Sequence, residues 1–111
     1  SKITSFHDER IFFEDNVRSA AGYNFDVLGV MHTSVDLISE CNSIIKDFHE
    51  GPTMAYPDSG YFRAPNWQFI DIISPVELVK FAKEWKNEGV QIFGGCCGLG
   101  PEHTISLSRL K

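Results

Sequence analysis

Long hydrophobic runs are missing from this chain. Its apolar stretches extend over a few residues at a time, far short of the ~18 needed to cross a bilayer, so no membrane partner is expected. No charged opening leads into an apolar core and a small-residue cleavage site, so no signal peptide is read either. The first residue is Ser1 rather than Met, which reads as a processed or excised chain. Positive charge is scarce as well. The formal charge is −5 at pH 7 and the ten Lys and Arg form no stripe, which argues against a nucleic-acid partner. Cysteine is rare and odd in number: three, of which two are adjacent and cannot bridge each other without strain. A disulfide-stapled secreted module is therefore a poor reading, and reduced thiols in the cytoplasm fit better.

What the chain does have is the balance of a globular domain, 42% hydrophobic and 23% charged. Short β-type runs alternate with helix-type segments. Strands are expected at Lys2–Phe6, Asp26–Val30, Thr53–Tyr56 and Val90–Gly94. Between Val35 and Phe48 the apolar residues fall at 35, 37, 38, 41, 44, 45 and 48, a helical stripe with Thr33 or Ser34 placed to cap it. "SPVE" opens another helix, with Ser74 as cap, Pro75 at the first helical position and Glu77 three residues after the cap. Its buried face is Val76, Val79, Ala82 and Trp85, or Leu78, Phe81 and Trp85, and Gly89 ends it. A last helix starts at Gly100-Pro101 and carries Ile105, Leu107 and Leu110; Phe12 to Gly22 gives a weaker helical signal.

Strand and helix in alternation predict an α/β fold of parallel β/α units with right-handed crossovers. No linker divides residues 1–111, which read as a single block. Four strands make either an open sheet or part of a larger barrel. The segment "PDSGYFRAPNWQFIDII" (57–73) reads as a long aromatic loop, either a functional lid or a cover over core.

In parallel folds the active rim lies where strands end and helices begin. Three unusual stretches fall there: "MHT" (31–33), "YPDSG" (56–60) and "GGCC" (94–97). Adjacent cysteines in a regular strand point to opposite faces, so aiming both sulfurs at one target requires the backbone to leave β geometry, which Gly94, Gly95 and Gly98 permit. Thiolates suit zinc, and a catalytic zinc keeps three protein ligands and one open position. His32 is the candidate third ligand in type and place. The plainer reading makes the cysteines small buried hydrophobes and His32 a hydrogen-bonded rim residue. Cys41 falls on the apolar stripe and reads as core; His103 reads as a surface residue, and His7 and His49 as solvated loop positions.

"GGCCG" followed by "GPEHTISL", with "YPDSG" upstream and the Trp of "AKEWKNEGVQIFGGCC", resembles the homocysteine S-methyltransferase family. The similarity runs from about Asp26 to Leu110 and faintly through the first 25 residues. The resemblance implies a zinc-dependent TIM (β/α)8 barrel that moves a methyl group onto homocysteine sulfur, of which this chain is the C-terminal part, about strands 5–8. It implies that Cys96 and Cys97 are zinc ligands at the end of the eighth strand. Two departures stand out. The family's Tyr-Pro-Asn-x-Gly has Asp58 in place of the asparagine, and its Gly-x-Asn-Cys is here Gly29-Val30-Met31-His32. His32 thus takes the place of the third cysteine ligand, and imidazole is a competent one.

Two thiolates and a neutral histidine on Zn2+ sum to zero, where three thiolates give −1. The expectation is a centre that binds substrate thiol at lower pH but leaves it less nucleophilic, tested by replacing His32 with cysteine. The implied partners are a small-molecule thiol, homocysteine, and a sulfonium, quaternary ammonium or corrinoid methyl donor, with Trp67 or Tyr61 of the 61–69 loop facing a cationic donor or serving as core. The rest of the barrel, or an oligomer partner, is needed as well, so the piece alone should be inactive. Three alternatives are a closed, non-catalytic metal module, a methyltransferase acting on another thiol, and a redox dithiol, the last disfavoured by the missing two-residue spacing.

Overall fold

A computed structural model describes residues 3–4, 11–63 and 68–110. The first helix, α1 (Phe13–Ala21), is followed by strand β1 (Leu28–Ser34), a 3-10 turn (Val35–Leu37) and α2 (Ile38–Phe48). Then come β2 (Thr53–Asp58), a hairpin of β3 (Tyr61–Arg63) and β4 (Gln68–Ile70), α3 (Pro75–Asn87), β5 (Val90–Phe93) and α4 (Pro101–Ser108). β1, β2 and β5 form a parallel sheet in that order, as the alternation of strand and helix predicts. β3 and β4 pair antiparallel, with Tyr61 opposite Ile70.

Burial along β2 alternates strictly. Thr53, Ala55 and Pro57 turn inward while Met54, Tyr56 and Asp58 stay half-exposed, the period of two that a one-sided sheet imposes. The inward face meets α2 and α3, and the core gathers Val30, Ile38, Cys41, Ile45, Ala55, Leu78, Ala82, Trp85 and Val90. Cys41 is therefore core, as its place on the stripe predicts. The opposite sheet face is more open, with Met31 54% and Ile92 37% exposed. Close approach of β1 and β2 depends on Gly29, where an added Cβ would lie 2.5 Å from the Met54 carbonyl oxygen.

Helix boundaries follow local chemistry. Ser74 accepts the Glu77 N–H at 3.2 Å, with Pro75 at the first position, so α3 starts where "SPVE" places it. Its buried stripe is Leu78, Ala82 and Trp85, with Phe81 beside them; Val76 is 68% exposed, so the stripe joins Ala82 of the first expected face to Leu78, Phe81 and Trp85 of the second. Gly89, at φ +100, ends the helix in the left-handed region. On α4 the buried residues are His103 and Leu107, with Leu110 packed beside the core; Ile105 is off that stripe and exposed.

Several expectations shift. The helix expected from Val35 opens as a 3-10 turn, and neither Thr33 nor Ser34 caps it: Thr33 Oγ1 donates to the Met31 carbonyl and Ser34 Oγ to the Asp36 carboxylate. β1 begins two residues later than expected and continues through His-Thr-Ser, because Thr33 and Ser34 still pair with β2 on the far side of His32. β2 runs on to Asp58, and the 57–73 loop holds a hairpin whose three-residue strands are too short to leave a periodicity. Of the strand expected at Lys2–Phe6, only Ile3 and Thr4 fall among the described residues, and Thr4 makes an antiparallel bridge to Phe12. His7 and Trp67 lie outside the described residues, as does the side chain of Tyr61.

Candidate metal centre

The three rim segments meet because β1, β2 and β5 are neighbours and end at one edge of the sheet. The register of β1 on β2 pairs Met31 with Tyr56 and then Thr33 with Pro57, skipping His32. His32 is thus the extra residue of a bulge, and its φ of +53 places it in the left-handed region. A bulge re-aims a side chain, and here it turns the imidazole toward the end of β5.

β5 ends at Phe93, but its extension goes on pairing with β2. Gly94 N–H donates to the Ala55 carbonyl at 3.0 Å, Cys96 N–H to Pro57 at 3.0 Å, and Ser59 N–H to the Cys97 carbonyl at 3.1 Å. Gly94 is needed for this approach, since a Cβ there would lie 2.4 Å from the Tyr56 ring. The chain then turns at Gly98, whose φ is +81, so the two cysteines are not held to opposite faces. Their sulfurs lie 4.0 Å apart.

His32 Nδ1 is 3.5 Å from Cys96 Sγ and 3.9 Å from Cys97 Sγ. The structure therefore brings together the three side chains that the sequence points to. It adds a fourth, Asp58, whose Oδ2 lies 3.5 Å from His32 Nδ1 and whose Oδ1 accepts the Cys97 backbone N–H at 2.9 Å. One ligand atom from each of His32, Asp58, Cys96 and Cys97 lies within 4.8 Å of all the others. A tetrahedral ion with bonds of ~2.0–2.3 Å sets its donors roughly 3.3–3.8 Å apart. The separations of His32 from the two sulfurs and Asp58, and of the sulfurs from each other, run from 3.5 to 4.0 Å, close to those edges, and the mixture of sulfur, imidazole and carboxylate is a donor set that suits zinc. In sequence Asp58 stands out only as a departure from the family's asparagine. Its role as a neighbour of both Cys97 and His32 depends on the strand register.

The electrostatics agree with a site built for a cation. Burial first, then the hydrogen bond to Cys96 and the negative charges of Asp58 and Cys96, push the Cys97 thiol above its usual pKa. Three acidic groups thus crowd one point, which a divalent ion would relieve. Clefts flank the cluster. One of about 590 Å3 is lined by Ser34, Asp58, Ser59 and Asp71, and another of about 270 Å3 by Met31, His32, Thr33 and Asn16.

A brace stands behind the cysteine loop. His103 is 4% exposed, not the surface residue expected. Its Nδ1 accepts the Gly100 N–H at 3.1 Å, and its Nε2–H donates to the Ile73 carbonyl at 2.7 Å. Ile73 N–H in turn donates to Ser59 Oγ at 2.7 Å, and Ser59 holds the Cys97 carbonyl. A polar residue in a first helical turn ordinarily faces water; this one faces the loop before α3, and only the tertiary packing shows it. His49 is likewise half-buried rather than solvated, with Nε2 3.2 Å from the Pro52 carbonyl.

No match is found among curated proteins. The family model described as homocysteine S-methyltransferase matches residues 10–110, nearly the whole sequence. The chain belongs to the homocysteine S-methyltransferase family.

Proposed function

We propose that this chain is the metal-bearing part of a zinc-dependent S-methyltransferase that methylates the thiol of homocysteine, forming methionine. The observation that carries this reading is the convergence of Cys96, Cys97 and His32 from two separate strand ends onto one point in a member of this family. Those three residues would hold the zinc. Bound there, the ion would supply Lewis acidity that lowers the pKa of a substrate thiol toward neutrality.

The remaining work belongs to the protein. The β2 ladder fixes the backbone of Cys96 and Cys97, and Asp58 orients the Cys97 amide. The His103 brace holds the loop against the start of α3. The flanking clefts give the thiol and the methyl donor room to approach in line, and positioning of this kind is the larger part of catalysis for such a transfer. The three parallel strands are read as part of a (β/α)8 barrel, from about the fifth strand to the eighth, whose other strands complete the substrate pocket. The setting is a cytoplasmic one, where the thiols stay reduced.

The test is metal content. The chain should bind one zinc per molecule, and Cys96→Ser or Cys97→Ser should weaken binding at least tenfold; a wild-type chain that holds no zinc after exposure to it refutes the reading. Asp58 favours a second reading, a closed structural site, because it supplies a fourth donor. Against it, the His32 side chain is 56% exposed and Asp58 28%, more open than a sealed structural centre.

A further inference from the structure

The hydrogen bonds behind the cysteine loop close into a ring. Gly100 N–H donates to His103 Nδ1, and His103 Nε2–H donates to the Ile73 carbonyl. Ile73 N–H donates to Ser59 Oγ, and Ser59 N–H donates to the Cys97 carbonyl, which returns the path to the loop where it began. Ser59 and Ile73 are also the two ends of the excursion that carries β3 and β4, so the Ser59 Oγ bond ties that excursion shut at its base. Ser59, Gly60, Asp71 and Ile73 line the 590 Å3 cleft beside the sulfurs. One imidazole therefore joins the wall of the cleft to the segment that bears Cys96 and Cys97. Resting on the zinc-dependent reading above, we infer that His103 is a positioning residue for the metal, which couples ion binding at the cysteine loop to closure of the 59–73 excursion.

The chemistry of the ring explains why a histidine serves here. The Gly100 N–H requires an acceptor at Nδ1, which leaves the proton on Nε2, where the Ile73 carbonyl accepts it. Both nitrogens are used, the ring is planar and stiff, and at 4% exposure water cannot replace either bond. The loop needs such a prop. Up to Cys97 it is held by the β2 ladder, but Gly98 then turns at φ +81, and glycines at 94, 95, 98 and 100 give the backbone freedom that it must lose before two sulfurs can share an ion. Past Gly98 the loop is tied to a neighbouring element through the His103–Ile73 bond. Groups that orient ligands from behind are typically worth 10–100-fold in metal affinity. Coupling is reciprocal: whatever factor the closed excursion lends to the ion, the ion returns to the excursion.

The full chain carries the test, with zinc affinity read by chelator competition, stability by urea midpoint and closure by amide exchange at Ile73. His103→Ala should bind zinc about tenfold more weakly or worse. Leu107→Ala, on the same buried stripe of α4, is the matched control: it lowers the urea midpoint through lost packing but should leave zinc affinity within about twofold of wild type. His103→Asn keeps the Gly100 bond and His103→Gln the Ile73 bond. Each should regain stability, yet neither should regain zinc affinity, because a brace fixed at one end transmits nothing. Ser59→Ala, the mildest break in the ring, should weaken zinc in the same direction and by a smaller factor. Zinc should slow Ile73 exchange about tenfold in wild type and much less in His103→Asn. The coupling is overturned if His103→Ala loses no more affinity than Leu107→Ala, if affinity returns with stability in the asparagine or glutamine variant, or if zinc leaves Ile73 exchange in wild type unchanged; in each case the zinc centre stands. Should His103→Ala fail to fold, His103→Asn and Ser59→Ala decide by the same criteria. A wild-type chain that holds no zinc takes down the zinc-dependent reading itself, and the coupling with it.

Discussion

Replacing His103 with alanine should unfasten the cysteine loop, and the size of the effect follows from its surroundings. The ring is 4% exposed and makes two hydrogen bonds, to Gly100 N–H and to the Ile73 carbonyl. Alanine leaves both backbone groups without a partner, in a space water enters poorly. Each such loss costs about 1–3 kcal/mol, so the variant should lose roughly 2–5 kcal/mol, a large share of the 5–15 kcal/mol typical of a domain. Urea unfolding of the metal-free chain reads this directly: the midpoint should fall by about 1–3 M with an unchanged slope. His103→Asn separates the two bonds. Its amide oxygen can take the place of Nδ1 toward Gly100 but cannot reach Ile73, so about half the loss should return. An alanine variant within ~0.5 kcal/mol of wild type, or an asparagine variant no better than alanine, would refute the reasoning.

Other expectations can be checked with the same preparations. Gly29→Ala drives a Cβ into the Met54 backbone and should destabilise by about 1–3 kcal/mol. Gly22→Ala meets nothing closer than 3.4 Å at an ordinary φ of −64, and thermal unfolding should show it neutral or slightly stabilised. Burial, and then the charge of Glu40, raise the Cys41 thiol from 9.0 to about 11. The folded value lies above the unfolded one, so its contribution is complete below pH 9 and is lost between pH 9 and 11, by about 2–3 kcal/mol at most. Denaturation midpoints across that range should fall, and Cys41→Ala should flatten the fall. Zinc at a hundredfold excess over its dissociation constant should stabilise the fold by about 2.7 kcal/mol. That gain should reverse with a chelator and vanish in Cys96→Ser.

The sequence makes some of this legible. Ser74, Pro75 and Glu77 announce α3 because capping is local chemistry, and the Val35–Phe48 stripe announces α2 because its period is written in one segment. The pair Cys96-Cys97 and the candidate His32 are visible from residue type, rim position and family likeness together. Asp58 and His103 are not, for one reason. Each owes its surroundings to a partner tens of residues away, Asp58 to the Cys97 amide and His103 to the Ile73 carbonyl, and no pattern within either segment encodes that pairing. The β3–β4 hairpin escapes detection because two strands of three residues carry too few alternations to distinguish from a loop.

The two departures from the family pattern, His32 and Asp58, face each other at 3.5 Å. On the proposed zinc, a carboxylate from Asp58 beside the two thiolates would bring the sum from zero to −1, the value that three thiolates would give.

His32 also has a consequence for how this sequence can be improved. A non-glycine residue at φ +53 inside a strand sits in a conformation that disfavours side chains by about 1–2 kcal/mol. Folding alone would prefer glycine or asparagine there. A selection for heat resistance that ignores chemistry should therefore converge on replacing this residue, and if His32 holds the proposed zinc, the stabilised winners would be those least able to bind it.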